Sequence, residues 1–391
     1  MTGQIRTGIE GAGRRRRALA SRRSGLVRIG LAVFVLGAAS RVAGAPPAAP
    51  RDILREAMTA MGGEAHLRNL AQLHLDIREL AYRIDDSERA QAPYWVNVRT
   101  ITEDRDLAAG RYRQEVLDES AQWVTRRTVI DDGQRLAQNT IWKGADNWIA
   151  TFSPGDRMAF APERILFTAG MASDLRAGPD VVQHGARQHD LKFTWKGFPV
   201  DLYIDAASHR PTRVTSIRTD RYNLVQTAWG DVRWRTDFLF WKREADGLFY
   251  PRQWSTFRNG EAYVDDVVIG LRETASTPAT AFLLPPAAMT AWAAGQTPYA
   301  ERPIPGGSAA LQAVGDGVWM IAGGWNVMVV RQADGLVVVE APQSAGYSVK
   351  ILALLAQSFP SVPVKALVTT TDSLWHFAGI RTYVAHGIPI Y

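Results

Sequence analysis

The first periodic segment of the chain is helical. Between residues 51 and 70, apolar residues recur at intervals of three and four, and the face they form ends at two consecutive glycines, Gly62 and Gly63. This spacing predicts an amphipathic helix whose buried side holds Ile53, Leu54, Ala57 and Met58.

Alternation of apolar and polar residues dominates the segment after this helix. It recurs in stretches that begin at residues 73, 94, 111, 123, 191, 200 and 262. Short connections rich in Gly, Asp and Pro separate these stretches and predict antiparallel neighbours. Residues 162–175 interrupt the series with helical spacing. We therefore expect an antiparallel half-barrel domain over residues 46–273, curved against one or two helices.

A different pattern begins at residue 274. Six prolines break the periodicity up to residue 307, which predicts a linker. Short strands follow at 317–321, 326–331 and 336–340, then a helix at 345–358 and a strand at 366–368. Strand, helix and strand at this spacing predict a covered α/β unit over residues 308–391, so the expected fold class is α+β.

Tryptophan is dense in the predicted half-barrel, with nine residues between Trp95 and Trp254. Large aromatic side chains fill the core of a curved sheet, or they line a concave face that holds an apolar molecule. In its overall pattern the region resembles the lipoprotein-carrier (LolA-like) half-barrels of the bacterial envelope. That resemblance implies a small apolar molecule or a lipid as partner.

The C-terminal pattern resembles the opening of the metallo-β-lactamase superfamily over about 80 residues. The resemblance is carried by the hairpin at 326–340, the turn Glu340-Ala341-Pro342, the helix, the strand, a loop and the helix start at Ala378-Gly379. It implies part of an αββα sandwich and a zinc-dependent hydrolase activity. The family's later metal ligands would lie beyond Tyr391.

The metal loop of that family reads Thr-His-x-His-x-Asp-His, which corresponds here to residues 370–376. Thr371 and Ser373 stand at the first two histidine positions, and Trp375 stands at the aspartate position. His376 matches the last histidine, with Asp372 as a substitute ligand. Because a hydrolytic zinc site needs three protein ligands, we expect no bound metal, and zinc only if the family function is retained. By the same resemblance, Glu340 would support the loop from behind.

The distribution of charged residues indicates that the N-terminal segment differs from the rest of the chain. Residues 1–45 hold nine arginines, no lysine and one acid, for a net charge of +8, which leaves 36 basic and 38 acidic residues in the remainder. The folded part therefore offers no case for nucleic acid. An arginine-rich stretch followed by the apolar run at 29–39 predicts an export signal, and Arg22-Arg23 resembles the twin-arginine type. The expected location is the periplasm or the exterior, with no transmembrane span in the mature protein.

Other site chemistry is sparse. The chain has no cysteine, which excludes thiolate metal sites and cysteine nucleophiles. His184, His189 and Asp190 have a spacing that fits neither a helix face nor a strand face, and we expect a solvated loop there.

Two functions remain open. The first is an exported hydrolase-like protein of the metallo-β-lactamase fold with a degenerate site. The second is an envelope binding protein that holds an apolar ligand or lipid in the half-barrel. The sequence leaves both enzymatic activity and oligomeric state undecided.

Overall fold

The computed structural model describes residues 49–84, 92–142, 145–219, 221, 229–273, 277–295, 297–371 and 373–391. The predicted export signal at 1–45 and the candidate ligand Asp372 lie outside the described residues. The account below concerns the compact unit that begins at Pro47.

Two helices open this unit: α1 (Pro50–Ala60) and α2 (Glu64–Asn69). Pro50 occupies the first turn of α1, where its missing N–H has no intrahelical partner to lose. The four apolar residues predicted on one face, Ile53, Leu54, Ala57 and Met58, are all buried. The helix prediction is confirmed.

The large sheet contains fourteen strands among the described residues. The first six are β1 (Gln72–Tyr82), β2 (Val96–Asp106), β3 (Arg111–Glu119), β4 (Val124–Asp131), β5 (Arg135–Trp142) and β6 (Ala145–Phe152). Helices α3 (Asp156–Ala159) and α4 (Ile165–Met171) follow. The remaining strands are β7 (Arg176–Ala177), β8 (Val181–Gln183), β9 (Ala186–Trp195), β10 (Phe198–Asp205), β11 (Pro211–Arg218), β12 (Val232–Arg243), β13 (Phe249–Arg258) and β14 (Glu261–Glu273).

Strand order is β6-β5-β4-β3-β2-β1-β14-β13-β12-β11-β10-β9, and β7 and β8 both pair with the outer edge of β9. Every pair is antiparallel. The first strand in the chain, β1, pairs directly with the last strand of this sheet, β14. The prediction of a long curved antiparallel sheet with few helices is confirmed. Strands β5, β6, β12 and β13 lay in stretches for which the alternation predicted no strand.

Helices α1 and α4 cover one face of this sheet. Their side chains Ile53, Leu54, Ile165 and Leu166 join a single buried cluster with Leu75 and other residues of the sheet. Along β1, residues 73, 75 and 77 point into this cluster, while Leu80 lies 40% exposed on the other face. The two-residue period of the strand therefore decides which side chains the helices cover.

The proline-rich segment contains α5 (Pro286–Ala294) and short 3₁₀ turns at Ala279–Phe282, Tyr299–Glu301 and Gly307–Ala309. Ala288 of α5 is fully buried against Ala137 and Ala150 of the large sheet. Phe282 is fully buried as well. The division into a half-barrel to 273, a linker at 274–307 and a second domain from 308 stays a prediction.

A second sheet has the order β15-β16-β17-β18-β19. Its strands are β15 (Leu311–Gly315), β16 (Val318–Ile321), β17 (Val327–Gln332), β18 (Gly335–Val339) and β19 (Val364–Val368). Helix α6 (Ala345–Ser358) connects β18 to the parallel strand β19, and α7 (Leu374–Phe377) and α8 (Ile380–Ala385) follow. The predicted strand-helix-strand unit is thus present.

The predicted αββα sandwich is not found in the described part of residues 311–391. That part has one five-stranded sheet packed against α6 and α8, whereas a sandwich needs two sheets face to face. The local order of hairpin, helix and strand is compatible with many α/β units, because it constrains only neighbouring elements. Since only part of such a sandwich was predicted, the single sheet leaves the metallo-β-lactamase part of the fold prediction unsupported.

Among the described residues, no helix has both the length and the apolar character needed to cross a membrane.

Candidate ligand cavity

A cavity of about 260 Å³ lies on the helix-covered face of the large sheet. Alternate residues of four adjacent strands form its sheet wall, in two rows that the strand register aligns. One row contains Val214, Thr236, Thr256 and Val264, and the other contains Phe238, Trp254 and Asp266. Paired residues share a face of an antiparallel sheet, so these side chains point into the same space.

The opposite wall comes from α3 and the residues that follow it: Asp156, Arg157, Phe160, Ala161 and Pro162. Gly155 starts α3 in the left-handed region, with φ of 72°. The turn favours glycine for this backbone conformation, because a Cβ there would meet within 3 Å only the movable end of the Lys196 side chain, at 2.7 Å from Nζ. This turn places Arg157 and Phe160 against the sheet.

Buried charges hold α3 and α4 to the strands. Arg105, on β2, donates from Nε to Glu103 Oε1 at 2.5 Å and from Nη1 to Glu163 Oε1 at 2.6 Å. Arg157 donates to the second oxygen of Glu103 at 2.7 Å, and the Tyr250 hydroxyl donates to Glu163 at 3.0 Å. Each of the two carboxylates is therefore shared by at least two donors, as a buried charge requires.

Neighbouring charges set the ionisation of this network. Burial by itself would raise the pKa of Glu103, but the guanidinium groups of Arg105 and Arg157 outweigh it and lower the pKa to about 2. Asp266 behaves in the opposite way: burial, reinforced by the carboxylate of Glu79, raises its pKa well above the usual range. The cavity thus contains fixed positive groups beside a carboxyl that favours its neutral form.

Charged side chains on the neighbouring strands extend the row that contains Trp254 and Asp266. Glu79 on β1 pairs with Asp266 in register and accepts from Arg99 Nη1 at 2.5 Å. Arg99 in turn donates from Nε to Asp118 at 2.8 Å. An ionic row therefore extends from the cavity along the inner face of β1, β2 and β3.

Several polar atoms around the cavity have no hydrogen-bond partner among the described residues. They are Trp234 Nε1, Trp254 Nε1, Arg218 Nη1 and Asp266 Oδ1. Buried donors are almost always satisfied in native proteins, by protein, water or ligand. Three of these four atoms belong to N–H donors, and all four are buried within the wall of the cavity.

A second cavity of about 320 Å³ adjoins the first. Its apolar lining is Phe152, Pro154, Trp195 and Phe198, and Lys196 and Arg221 are also among the lining residues. Asp156, Arg218 and Trp234 line both cavities and therefore mark their junction. The two cavities thus have aromatic surface on both sides of a polar junction, and the first cavity has further charged lining in Arg105, Arg157 and Asp266.

The alternation of residues 232, 234, 236 and 238 could have revealed the sheet wall from the sequence. Val232, Trp234, Thr236 and Phe238 follow the period of a strand, and Trp254 lies in a comparable stretch. The sequence shows a high density of tryptophan there, but its alternation predicted neither the two strands nor the arginine residues of the cavity. The register that joins these residues involves pairs such as Phe238 and Trp254, and no local pattern specifies it.

His376 lies on α7, away from these cavities. Its Nδ1 is 2.7 Å from Glu340 Oε2, and the other oxygen of Glu340 accepts from the backbone N–H of Thr370 at 2.8 Å and from the Thr370 hydroxyl. Glu340 thus supports the loop in the manner expected. Since Asp372 lies outside the described residues, the pairing of His376 with Asp372 as metal ligands stays a prediction.

The group His184, His189 and Asp190 is only partly the solvated loop that was expected. His184 is an exposed turn residue, but His189 and Asp190 lie in β9. His189 Nδ1 is 2.9 Å from Asp180 Oδ1, while Asp190 contacts Lys192 Nζ at 2.9 Å. Because successive strand residues point to opposite faces, the three side chains do not gather.

One group of three potential metal ligands occurs among the described residues: His66, Asp246 and Glu273. His66 Nε2 lies 2.6 Å from Glu273 Oε1. The three residues are far apart in the sequence, and no motif predicted that they would meet. Two of the three are exposed, and such acidic groups occur on many surfaces without a metal.

No family model matches the sequence, and no curated protein matches it. Solved structures similar to this chain include a putative outer membrane lipoprotein-sorting protein domain from Vibrio parahaemolyticus, at 12% identity and a TM-score of 0.38, covering 60% of this chain and 97% of that domain. Another is a LolA superfamily protein from Nitrosomonas europaea, at 11% identity and a TM-score of 0.38, covering 61% of this chain and 98% of that protein. TM-scores this low do not establish a shared fold, so the fold description rests on the strand pairing above.

These findings overturn the resemblance to the metallo-β-lactamase superfamily. No family model of that kind matches the sequence. The resemblance depended on the order of short elements and on a single histidine, His376. The hydrolase interpretation that followed from it has no support in these comparisons.

Proposed function

We propose that this protein is an envelope binding protein that holds an apolar or amphiphilic ligand, such as a lipid, in the cavity of its large sheet. The observation that carries the proposal is the pair of adjoining cavities, of about 260 and 320 Å³, in the otherwise packed side of the sheet. Aromatic walls with a few polar groups are typical of small-molecule sites.

The lining supports an apolar ligand in particular. Phe160, Trp195, Trp234, Phe238 and Trp254 contribute ring surface to one or both cavities. Removing apolar ligand surface from water gains about 25 cal/mol per Å², so a chain enclosed between these rings would be held without many polar contacts. The export predicted from the arginine-rich leader fits an envelope protein, and this location is part of the proposal.

Binding can be tested on the full chain with the apolar fluorescent probe N-phenyl-1-naphthylamine. A saturable rise in probe emission is expected, and dodecanoate or methyl dodecanoate below its critical micelle concentration should reverse it. A probe signal that does not saturate, or that no dodecyl compound displaces, would contradict the proposal.

A cavity-filling variant locates the site. Val214 is buried and lines the inner cavity, so Val214→Phe should weaken probe binding roughly tenfold by occupying ligand space. Val182 is 74% exposed and does not line either cavity, so Val182→Phe should leave binding unchanged. If Val214→Phe does not fold, as judged by thermal unfolding, Ser216→Leu provides a smaller filling change at the same wall. Equal binding by all these variants would place the ligand elsewhere and contradict the proposal.

A further inference from the structure

Three side chains that can bind a metal ion meet outside the two cavities. His66 comes from α2, Asp246 from the turn between β12 and β13, and Glu273 from the last position of β14. One ligand atom of each residue lies within 4.8 Å of those of the other two. His66 and Glu273 are 207 residues apart in the chain, so the tertiary structure brings these ligands together.

The turn that carries Asp246 is held in one position by backbone contacts. Asp246 Oδ1 accepts a hydrogen bond from the N–H of Leu248 at 3.0 Å. The end of α1 approaches the same turn closely, because a Cβ at Gly62 would lie only 2.9 Å from the carbonyl oxygen of Gly247. The position of this ligand is therefore set before any ion binds.

The hydrophobic core anchors all three ligands. Leu67 follows His66 in α2, Leu73 pairs with Glu273 across β1 and β14, and Leu248 lies two residues after Asp246. These three leucines are fully buried and belong to one core cluster. A site supported by rigid elements in this way is preorganised, unlike an arrangement of long side chains on a mobile loop.

The charges at the cluster favour a cation. Two carboxyl groups in contact need a proton or another positive charge between them. Burial raises the pKa of Glu273 and the carboxyl of Asp246 adds to the rise, although His66 acts in the opposite direction. The guanidinium groups on the same segments are paired with other carboxylates: Arg68 with Glu64, Arg252 with Glu244, and Arg272 with Asp76. A bound cation would balance the charge of both carboxylates.

The types of ligand select the class of ion. Magnesium and calcium take oxygen ligands, whereas an imidazole nitrogen suits zinc and its neighbours in the first transition row. Zinc accepts nitrogen and carboxylate ligands at about 2.0–2.2 Å, so atoms bound to one ion lie roughly 3–4 Å apart. His66 Nε2 and Glu273 Oε1 are already 2.6 Å apart, and small side-chain rotations would place all three ligands around one zinc ion.

We propose that His66, Asp246 and Glu273 form an exchangeable zinc site that joins α2, the turn between β12 and β13, and the end of β14. Two of the three side chains are exposed, and three protein ligands leave a fourth position open to water. The ion is therefore bound reversibly and is removed by dialysis. Because the ligands are together only in the folded chain, zinc binding stabilises the fold. None of the three residues lines either cavity, so the site does not depend on the proposed function.

Titration calorimetry with zinc chloride tests the site on the untagged full chain, after treatment with a chelator and near neutral pH. We expect one zinc ion to bind per chain. Zinc should also raise the temperature of thermal unfolding in a concentration-dependent manner, as expected for an ion that binds only the folded state. Magnesium chloride at the same concentrations should produce neither effect, because a site with an imidazole ligand selects against magnesium.

Matched variants assign the ion to the cluster. His66→Ala removes the nitrogen ligand, and Asp246→Asn removes a charge while keeping the acceptor of the turn hydrogen bond. Each should weaken zinc binding by at least about tenfold. His74→Ala is the control, because the two ring nitrogens of His74 face different carboxylates, Asp104 at 2.7 Å and Asp76 at 3.4 Å. Those carboxylates do not converge on one ion, so this variant should bind zinc as the parent does.

Each outcome decides the proposal. Loss of zinc binding in His66→Ala and Asp246→Asn, with retention in His74→Ala, supports it. A parent that binds no zinc, or zinc binding that both cluster variants preserve, overturns it. An equal response to magnesium also overturns it, because it indicates diffuse attraction of cations to surface carboxylates. If thermal unfolding without zinc shows that His66→Ala does not fold, Asp246→Asn and Glu273→Gln decide in the same way.

Discussion

Each of the two sheets of this protein buries one face, and the two faces differ in the kinds of side chain that they bury. In the small sheet, Val327, Val329, Leu336 and Val338 pack against Ile351 and Leu355 of α6. Among the described residues from 311 to 391, Glu340 is the one buried charged side chain. The inner face of the large sheet instead buries Glu79, Glu103, Arg105, Asp118 and Asp266 and leaves two cavities.

This difference in buried side chains distinguishes a face that serves stability from a face that serves function. An aliphatic core packs to high density and needs no partners for polar atoms. Buried ion pairs gain little over such a core and are costly when one partner is lost. Charges and voids on the same face of the large sheet therefore indicate that this face is organised around something other than maximal packing, in agreement with the proposed ligand site.

The largest effect should come from breaking the buried network. Arg105→Met removes the donor shared by Glu103 and Glu163 and leaves two buried carboxylates short of a partner. We expect a loss of about 3–5 kcal/mol in the free energy of unfolding, measured by urea denaturation. Arg55→Met, which removes an exposed pair with Asp52, should cost less than about 1 kcal/mol. Equal losses of unfolding free energy in the two variants would show that the buried network stabilises the fold no more than an exposed ion pair does.

Lowering the pH weakens the same buried network gradually, because it protonates Glu103. Glu103 has an ordinary pKa of 4.5 and a folded-state pKa of about 2. Because the folded value is the lower one, its stabilisation is fully present above pH 4.5 and is lost as the pH falls towards 2. The loss amounts to roughly 3 kcal/mol over that window.

Glu103→Gln is the control for this titration. It should be less stable than the parent at pH 6 and should show a correspondingly flatter dependence of unfolding free energy on pH between 5 and 2.5. Parallel curves for parent and variant would mean that other carboxylates account for the acid sensitivity.

The smallest effect is expected in the small sheet, at His376. Its side chain is 36% exposed and has Glu340 as its partner, so His376→Ala should cost no more than about 1 kcal/mol. Metal analysis of the dialysed parent should find no stoichiometric zinc, because His376 with Asp372 supplies too few ligands. The variant should give the same result.

A positive metal result would be informative in either of two ways. One tightly bound zinc per chain, lost in His376→Ala, would contradict the expectation and restore a metal role for the loop. Zinc that His66→Ala removes instead would assign the ion to the cluster of His66, Asp246 and Glu273.

Local periodicity was sufficient for several elements. The spacing of Ile53, Leu54, Ala57 and Met58 determined the buried face of α1, and the helix predicted at 345–358 has those bounds in the structure. Both depend on contacts between residues three or four apart, which the sequence displays directly. Family resemblance failed in the C-terminal region because short elements in a common order do not specify a fold.

What the sequence alone determined is the antiparallel character of the large region, its first helix and the strand-helix-strand order near the C-terminus. Only the tertiary structure decided that β1 pairs with β14, that Arg105 meets Glu163 across 58 residues, and that Arg218 and Trp234 stand at the junction of two cavities. Register and helix docking depend on contacts between residues distant along the chain. Such contacts form when a face is buried, and the two-residue alternation of each strand is the same whatever its partner.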